Sequence, residues 1–474
     1  MLNTVRFYHR KRPMFKCRSF QALPYAGKYA SALFIFSSFT HAADEPAFNA
    51  LRWNENYGSL AQNPDPDSYD KFKYVPLSEM NDGAYLSFGG SARSRIDFFE
   101  NKRFGLQNEH IDHLAQQRFY FHADTVLNRN FRIFTEISVS FADAKNSNVG
   151  PFDRDEPDLS QGFLQFNYDQ FAIKLGRQEM SLGSSRLVSL RNGPNIRLSF
   201  DGVLFESSDD RFDLKTFYLN PVEPRDGSFN NKGSDSEALW GIYTTTTFDL
   251  TNVDFYYLGL KRESLMNTLP AADEKRHSLG ARLFGVRDNV DWNIEVVYQT
   301  GDIAEYDIEA WTLASIMGYR FVDLPGSPRV ALGTSIASGD RDSNDRSINT
   351  FNPLFPNYGY FEEAGVLSPQ NFYNIEPEIS FNVTPQFSIA FDWNFFWRLE
   401  KADAVYVAGL RPLANTATVD GHRVTNVPSL SLDYQANRHF RFDISYSHFF
   451  ADEVIKNSGG KDINYFKVQM DITF

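Results

Sequence analysis

Residues 171–205 read FAIKLGRQEMSLGSSRLVSLRNGPNIRLSFDGVLF. The segment opens with a period of two: Phe171, Ile173 and Leu175 fall on one side, Ala172, Lys174 and Gly176 on the other. It closes as a second strand. Between the two lie Gly183, Gly193 and Pro194, together with Arg177, Arg186, Arg191 and Arg197, and only Glu179 and Asp201 as nearby acids. Such a cationic loop is either a solvated surface turn or an element that recognises anions, because guanidinium groups present planar donor forks matching carboxylates and phosphates. The choice depends on what solvent each strand face meets.

The same period runs outward in both directions. Strands are expected near 84–99, 115–128, 130–141 and 159–169, and fourteen more from 170–178 to 463–474, with no convincing helix. Phe440, Phe442, Ile444 and Tyr446 oppose Arg441, Asp443, Ser445 and Ser447; Trp292, Ile294, Val296 and Tyr298 oppose Asp291, Asn293, Glu295 and Gln299. A soluble sandwich would bury one face against a second sheet. Charged inner faces on strand after strand fit lipid outside and water inside better. The linkers agree: tight turns at Asn128-Arg129, Asp169-Gln170, Asp288-Asn289 and Thr384-Pro385 alternate with long segments at 100–114, 179–198, 339–370 and 399–420. Greek-key links would not keep that parity. An open sheet edge in hydrocarbon would leave backbone groups unpaired, so the sheet must close. The expected fold is all-β: a closed antiparallel transmembrane β-barrel of about 18 strands, with short periplasmic turns and long extracellular loops.

Composition supports a wall between two solvents. The 474 residues include 45 Phe and 23 Tyr, 16% aromatic in all, while mean hydropathy is −0.41. No stretch approaches the roughly 20 apolar residues of a spanning helix. The best run, 30–36, follows a basic region and precedes Thr40-His41-Ala42, a small-x-small cleavage pattern. Residues 1–42 are therefore expected to be a signal peptide, starting at Met1 or Met14, with a disordered basic tail as the alternative. Residues 43–83, rich in Pro and Asp, read as an irregular lead-in, and 84–474 as the barrel. The leader holds seven Lys or Arg and no acid, so its removal takes the net charge from −13 to −20. Cys17, the sole cysteine, leaves with it, and with it any disulfide or thiolate chemistry. Phe474 stands on the apolar face of the last strand, as expected of a strand end offered to the barrel-insertion machinery; outer-membrane lipid and lipopolysaccharide are the other expected contacts.

Catalytic signatures are absent: the chain has no GxSxG, no HExxH and no phosphate loop. His110 and His113 are the closest histidine pair but lack an evident third ligand. Glu376, Glu378 and Asp392 are expected to line a lumen rather than form an acid/base pair. No enzyme activity, cofactor or resident metal is expected, and the acidity disfavours nucleic acid. The acidic runs at 153–158 and 340–345 read as solvated faces, with Ca²⁺ binding as the alternative.

Three separated blocks resemble the alginate export family of outer-membrane porins. LRWNENYGSL (51–60), YDKFKYVPL (69–77) and AYLSFGGSARSR (84–95) match its lead-in and first strand; GRQEMSLGSSRLVSLRNGPNIRLSFDG (176–202) matches its most distinctive block; NTFNPLFPNYGYFEEAGVLSPQN (349–371) matches its long-loop block. The resemblance implies a monomeric eighteen-stranded barrel whose lumen passes an anionic polyuronate or its oligomers. Arg177, Arg186, Arg191 and Arg197 match the family's arginine block, and Arg93 and Arg95 its first-strand basic positions. With Lys174 these are the candidate pore residues. Ser91 and Leu198 depart from the pattern, in the direction of a less cationic pore. A channel for small anionic nutrients and a structural or adhesive barrel remain open. The loop at 179–198 is expected to fold inward and narrow the pore, since Val188, Leu190 and Ile196 need cover. The loop at 339–370, with Phe351, Phe355, Tyr358, Tyr360 and Phe361, is expected to cover part of the mouth.

Overall fold

The computed structural model describes residues 48–62, 69–77, 83–106, 113–145, 149–263, 272–342, 344–360 and 362–474. The expected leader, His110 and Phe361 lie outside them.

Eighteen long strands make the ring. They are β1 (Tyr85–Glu100), β2 (His113–Asn128), β3 (Phe131–Ala144), β4 (Asp155–Tyr168), β5 (Phe171–Glu179) and β6 (Ser199–Ser208). Next come β7 (Phe212–Glu223), β8 (Glu237–Phe248), β9 (Thr251–Arg262), β10 (Glu274–Arg287), β11 (Val290–Ile303) and β12 (Tyr306–Arg320). The last six are β13 (Arg329–Ala337), β14 (Phe372–Asn382), β15 (Phe387–Arg398), β16 (Arg423–Gln435), β17 (Phe440–Ala451) and β18 (Ile463–Thr473). Each pairs antiparallel with the next, and β18 returns to β1 from Ser91↔Thr473 to Glu100↔Asn464. Closure leaves no ring strand without a neighbour, which hydrocarbon requires. Three two-residue strands, Val75–Pro76, Lys232–Gly233 and Ser347–Ile348, pair onto the ring from outside its order.

Period two sorts the faces. Phe119, Phe121, Ile242, Phe255, Leu279, Leu332 and Tyr446 point outward and are exposed, whereas their strand neighbours Arg118, His122, Asp254, Ser278 and Ser447 are buried. On β5, Phe171, Ile173 and Leu175 face out and Lys174 is 1% exposed inside. Exposed phenylalanines on strand after strand are stable only against lipid.

Loop parity holds with one exception. Long links follow odd strands, but β11 and β12 are joined by Ala304 and Glu305 alone, while the segment 321–328 after β12 is the longest at the short-turn end. The acidic run at 153–158 is only partly loop. Asp155 and Asp158 begin β4; Asp158 accepts the backbone N–H groups of Asn230 and Asn231, and Asp155 accepts the Asn231 amide at 2.7 Å. Among the described residues no group of three or more His, Cys, Asp or Glu is placed to hold a metal ion.

The inward face changes along the strands. Near the long-loop ends it is apolar: Phe200, Leu219, Leu239, Leu260, Ile308, Phe396 and Phe449 are buried there and belong to one apolar cluster. Toward the short turns it carries Lys215, Asp254, Asn293, Asp392, Asp433 and Asp443. Loops packed into the barrel account for the apolar part.

Candidate functional site: a crossbar in the lumen

The segment 180–198 between β5 and β6 crosses the barrel interior. At its start Ser184 donates to Glu295 of β11. Near its end the Asn195 amide donates to the carbonyls of Gln117 (3.0 Å) and Phe141 (2.9 Å), on β2 and β3, and to that of Asp153. In a ring of eighteen, β2 and β11 are nine places apart, so the segment bridges opposite walls. Gly183 has φ +50°, and a Cβ there would collide with the Tyr243 hydroxyl of β8. Only glycine allows both that backbone conformation and that approach.

A second infolded segment braces this crossbar. Phe355, from the link between β13 and β14, donates its N–H to the Leu187 carbonyl (2.8 Å) and accepts the Ser189 N–H (3.0 Å), forming a parallel bridge with Val188. Its ring meets Phe200 edge-on at 5.4 Å. Asn352 adds bonds to Gln299 of β11 and Glu274 of β10. Both segments are therefore built into the lumen on the apolar part of the wall.

The candidate basic residues divide by what they hold. Arg93 donates to the carbonyls of Asn192 (2.6 Å) and Pro194 (2.9 Å), and Arg95 to that of Gly193 (3.1 Å) while also pairing with Asp97. These first-strand arginines grip the crossbar tip. Arg118, missed by sequence reasoning, joins them through the Asn192 side chain at 2.8 Å; its signal was the inward register of β2, where Gln116 and Tyr120 flank it. Arg177 is bidentate to Asp201 at 2.8 and 3.0 Å. Arg186 lies 3.4 Å from Glu295 with its guanidinium 3.9 Å from the Tyr360 ring. Arg197 pairs with Glu179. Lys174 bonds Glu206 at 2.5 Å and sits 3.2 Å above the Trp53 ring.

Arg191 differs. Among the described residues it has no carboxylate partner, and its Nε is buried without a hydrogen bond. Its backbone is left-handed, with φ 49°, a conformation uncommon for a residue with a Cβ. Its guanidinium lies 5.4 Å from the Phe355 ring, on which Arg262 also rests at 5.5 Å. Burial, with Arg262 adding to it, holds its pKa below the ordinary arginine value.

Around the crossbar a cavity of about 2460 Å³ reaches both ends of the barrel. Gln170, Pro385 and His439 line it by the short turns, Tyr306, Ser347 and Asp345 by the long loops. Arg93, Arg95, Arg191 and Arg197 line it; Lys174, Arg177 and Arg186 do not. Among the described residues as many acidic as basic side chains face this space. The overall balance gives no anionic preference, so charge selection must come from where individual groups stand.

Residues 84–469 match the alginate export family. A match over most of the chain places this protein in that family. No curated protein matches the sequence significantly. Among solved structures, OccAB1 of Acinetobacter baumannii is similar with TM-score 0.57 at 12% identity, covering 86% of this chain and 99% of that one. OccD3 (OpdP) of Pseudomonas aeruginosa gives 0.56 at 13%, covering 85% and 93%; OccK11 (OpdR) of the same organism gives 0.53 at 13%, covering 82% and 96%. At these identities the likeness is one of fold. With the family, the lipid-facing belt and the through-running lumen, it identifies an outer-membrane channel of a Gram-negative bacterium.

Proposed function

We propose that this member of the alginate export family conducts anionic saccharides, polyuronate or its oligomers, past a carboxylate-binding point at Arg191. The observation that carries this reading is Arg191 itself. Every other arginine of the crossbar block is paired with a protein carboxylate, whereas Arg191 lines the lumen with none among the described residues. A buried guanidinium without its own acid is strongly favoured to take one from a passing solute, through charge-assisted bonds worth about 1.5–3 kcal/mol each. One such point suits transport, since a site that binds too tightly stops conduction.

A second reading has an observation of its own. The crossbar divides the lumen from wall to wall, which favours small organic anions over a long chain. Current block in a planar bilayer separates the two. With Arg191→Ala, block by oligouronates should weaken about tenfold, matching the loss of one charge-assisted bond. In the wild type, block that deepens with oligomer length supports saccharide passage; equal block by a monocarboxylate supports the second reading. Unchanged block in Arg191→Ala overturns both.

A further inference from the structure

We propose that the described parts of the lead-in, residues 48–62 and 69–77, form a displaceable plug of the inner mouth, coupled to the crossbar through Arg197. This does not depend on which solute the channel carries. Residues 48–54 line the lumen at the short-turn end, so whatever leaves the crossbar on that side passes them. Among the described residues its attachments to the wall are both polar and aromatic: Tyr74 stacks on Tyr85 at 4.9 Å, Phe48 and Tyr69 meet His439, and Asp70 lies 4.0 Å from Arg438. Arg52, 5% exposed, donates to the carbonyls of Gly90 (2.8 Å) and Phe474 (2.9 Å), the two residues that join β1 to the end of β18. Glu55 holds Arg52 in that pose at 2.7 Å. Trp53 packs on Phe134 and Phe163.

Two features set this segment apart from a permanent wall element. Among the described residues, only Val75–Pro76 of this segment pairs as a strand with the barrel. The docked state also buries two donors without hydrogen bonds, Trp53 Nε1 and Lys73 Nζ. A buried, unmatched donor penalises the docked state against a hydrated one, which lowers the cost of release. Among the described residues the hydrogen-bonded link to the crossbar is one group: Arg197 donates to the Ala50 carbonyl at 2.7 Å and also to Glu179. A shift of the crossbar therefore removes a lead-in contact, and departure of the lead-in leaves Arg197 with Glu179 but without the Ala50 carbonyl.

The test is single-channel recording of the full-length chain in potassium chloride alone, on preparations whose heat-shifted gel mobility shows a folded barrel. Arg52→Ala should raise the mean conductance about twofold and add a second, larger current level. Glu55→Gln, which loosens Arg52 without touching the wall, should raise the occupancy of that level. Arg197→Gln should populate the same level, and the double variant Arg52→Ala/Arg197→Gln should add nothing further. Wild-type conductance in both Arg52→Ala and Glu55→Gln overturns the plug; fully additive effects of the two arginine changes overturn the coupling.

Discussion

The two ends of the same strands face different interiors. On β7 the inward residues run from Leu219 and Phe217, buried under the loops, to Lys215 and Asp213 toward the short turn; on β17 they run from Phe449 to Asp443. One alternation thus serves a dry region and a wet one. The dry region is where loops pack and need apolar contact; the wet region is where only water and solute reach the wall. A lumen need not be uniformly polar. It must be polar only where nothing covers it.

Breaking the dry end should have the largest effect. Phe355→Ala removes the ring that joins Val188, Phe200 and Arg191, a loss of about 3–5 kcal/mol for a buried Phe. Because the barrel wall is untouched, the expected outcome is loosened loops: higher conductance and fast protease cleavage within 338–371 on intact cells. Resistance equal to wild type would show that the two infolded segments do not depend on this contact.

Breaking the wet end should do less. Asp443→Asn with Asp471→Asn removes two lumen acids on β17 and β18 while Lys467 keeps Glu363. The reversal potential in a salt gradient should move toward anions, by under about 1 kcal/mol, the ceiling usual for solvated charge pairs. No movement would mean that ions do not follow this side of the lumen.

The smallest effect tests the lead-in by pH. Burial, with Arg52 close by, lowers the Lys73 ammonium from 10.5 to about 7, and the rings of Phe48, Tyr57 and Tyr69 stand 5.0–5.7 Å from its nitrogen. Arg438 opposes its charge as Arg52 does, while Glu55 and Asp124 favour it; His122 also stands close. A lysine with a lowered folded pKa binds fewer protons when docked than when free. Docking therefore strengthens as pH rises from about 7 toward 10.5, and is weakest and flat below 7. Conductance should fall slightly over that rise, and Lys73→Met should remove the slope. An unchanged slope in that variant would assign the dependence to another group.

Much of the barrel was legible without coordinates. Strand number, the outward set such as Phe440, Phe442 and Ile444, and the turn at Asp288-Asn289 all follow from period-two patterning and turn chemistry, which act between residues close in sequence. The exception at Ala304-Glu305 was not read from the pattern, because a two-residue link carries no signal that tells one end of the barrel from the other. The crossbar was half visible: its glycines, arginines and apolar Val188 pointed inward. Sequence could not say which arginine stays unpaired.

The chain by itself determined that there are two faces, that the wall closes, and that a cationic loop enters the lumen, since each follows from local alternation and from the cost of leaving apolar or backbone groups in the wrong solvent. Only the tertiary structure decided the roles of the charges. Arg186 meets Glu295 more than a hundred positions away, Arg197 shares its guanidinium between Glu179 and the Ala50 carbonyl, and Arg191 meets no acid among the described residues. Charge pairing falls off over a few ångströms, and those distances are set by barrel closure and by how Phe355 and Val188 seat the crossbar, not by spacing along the chain.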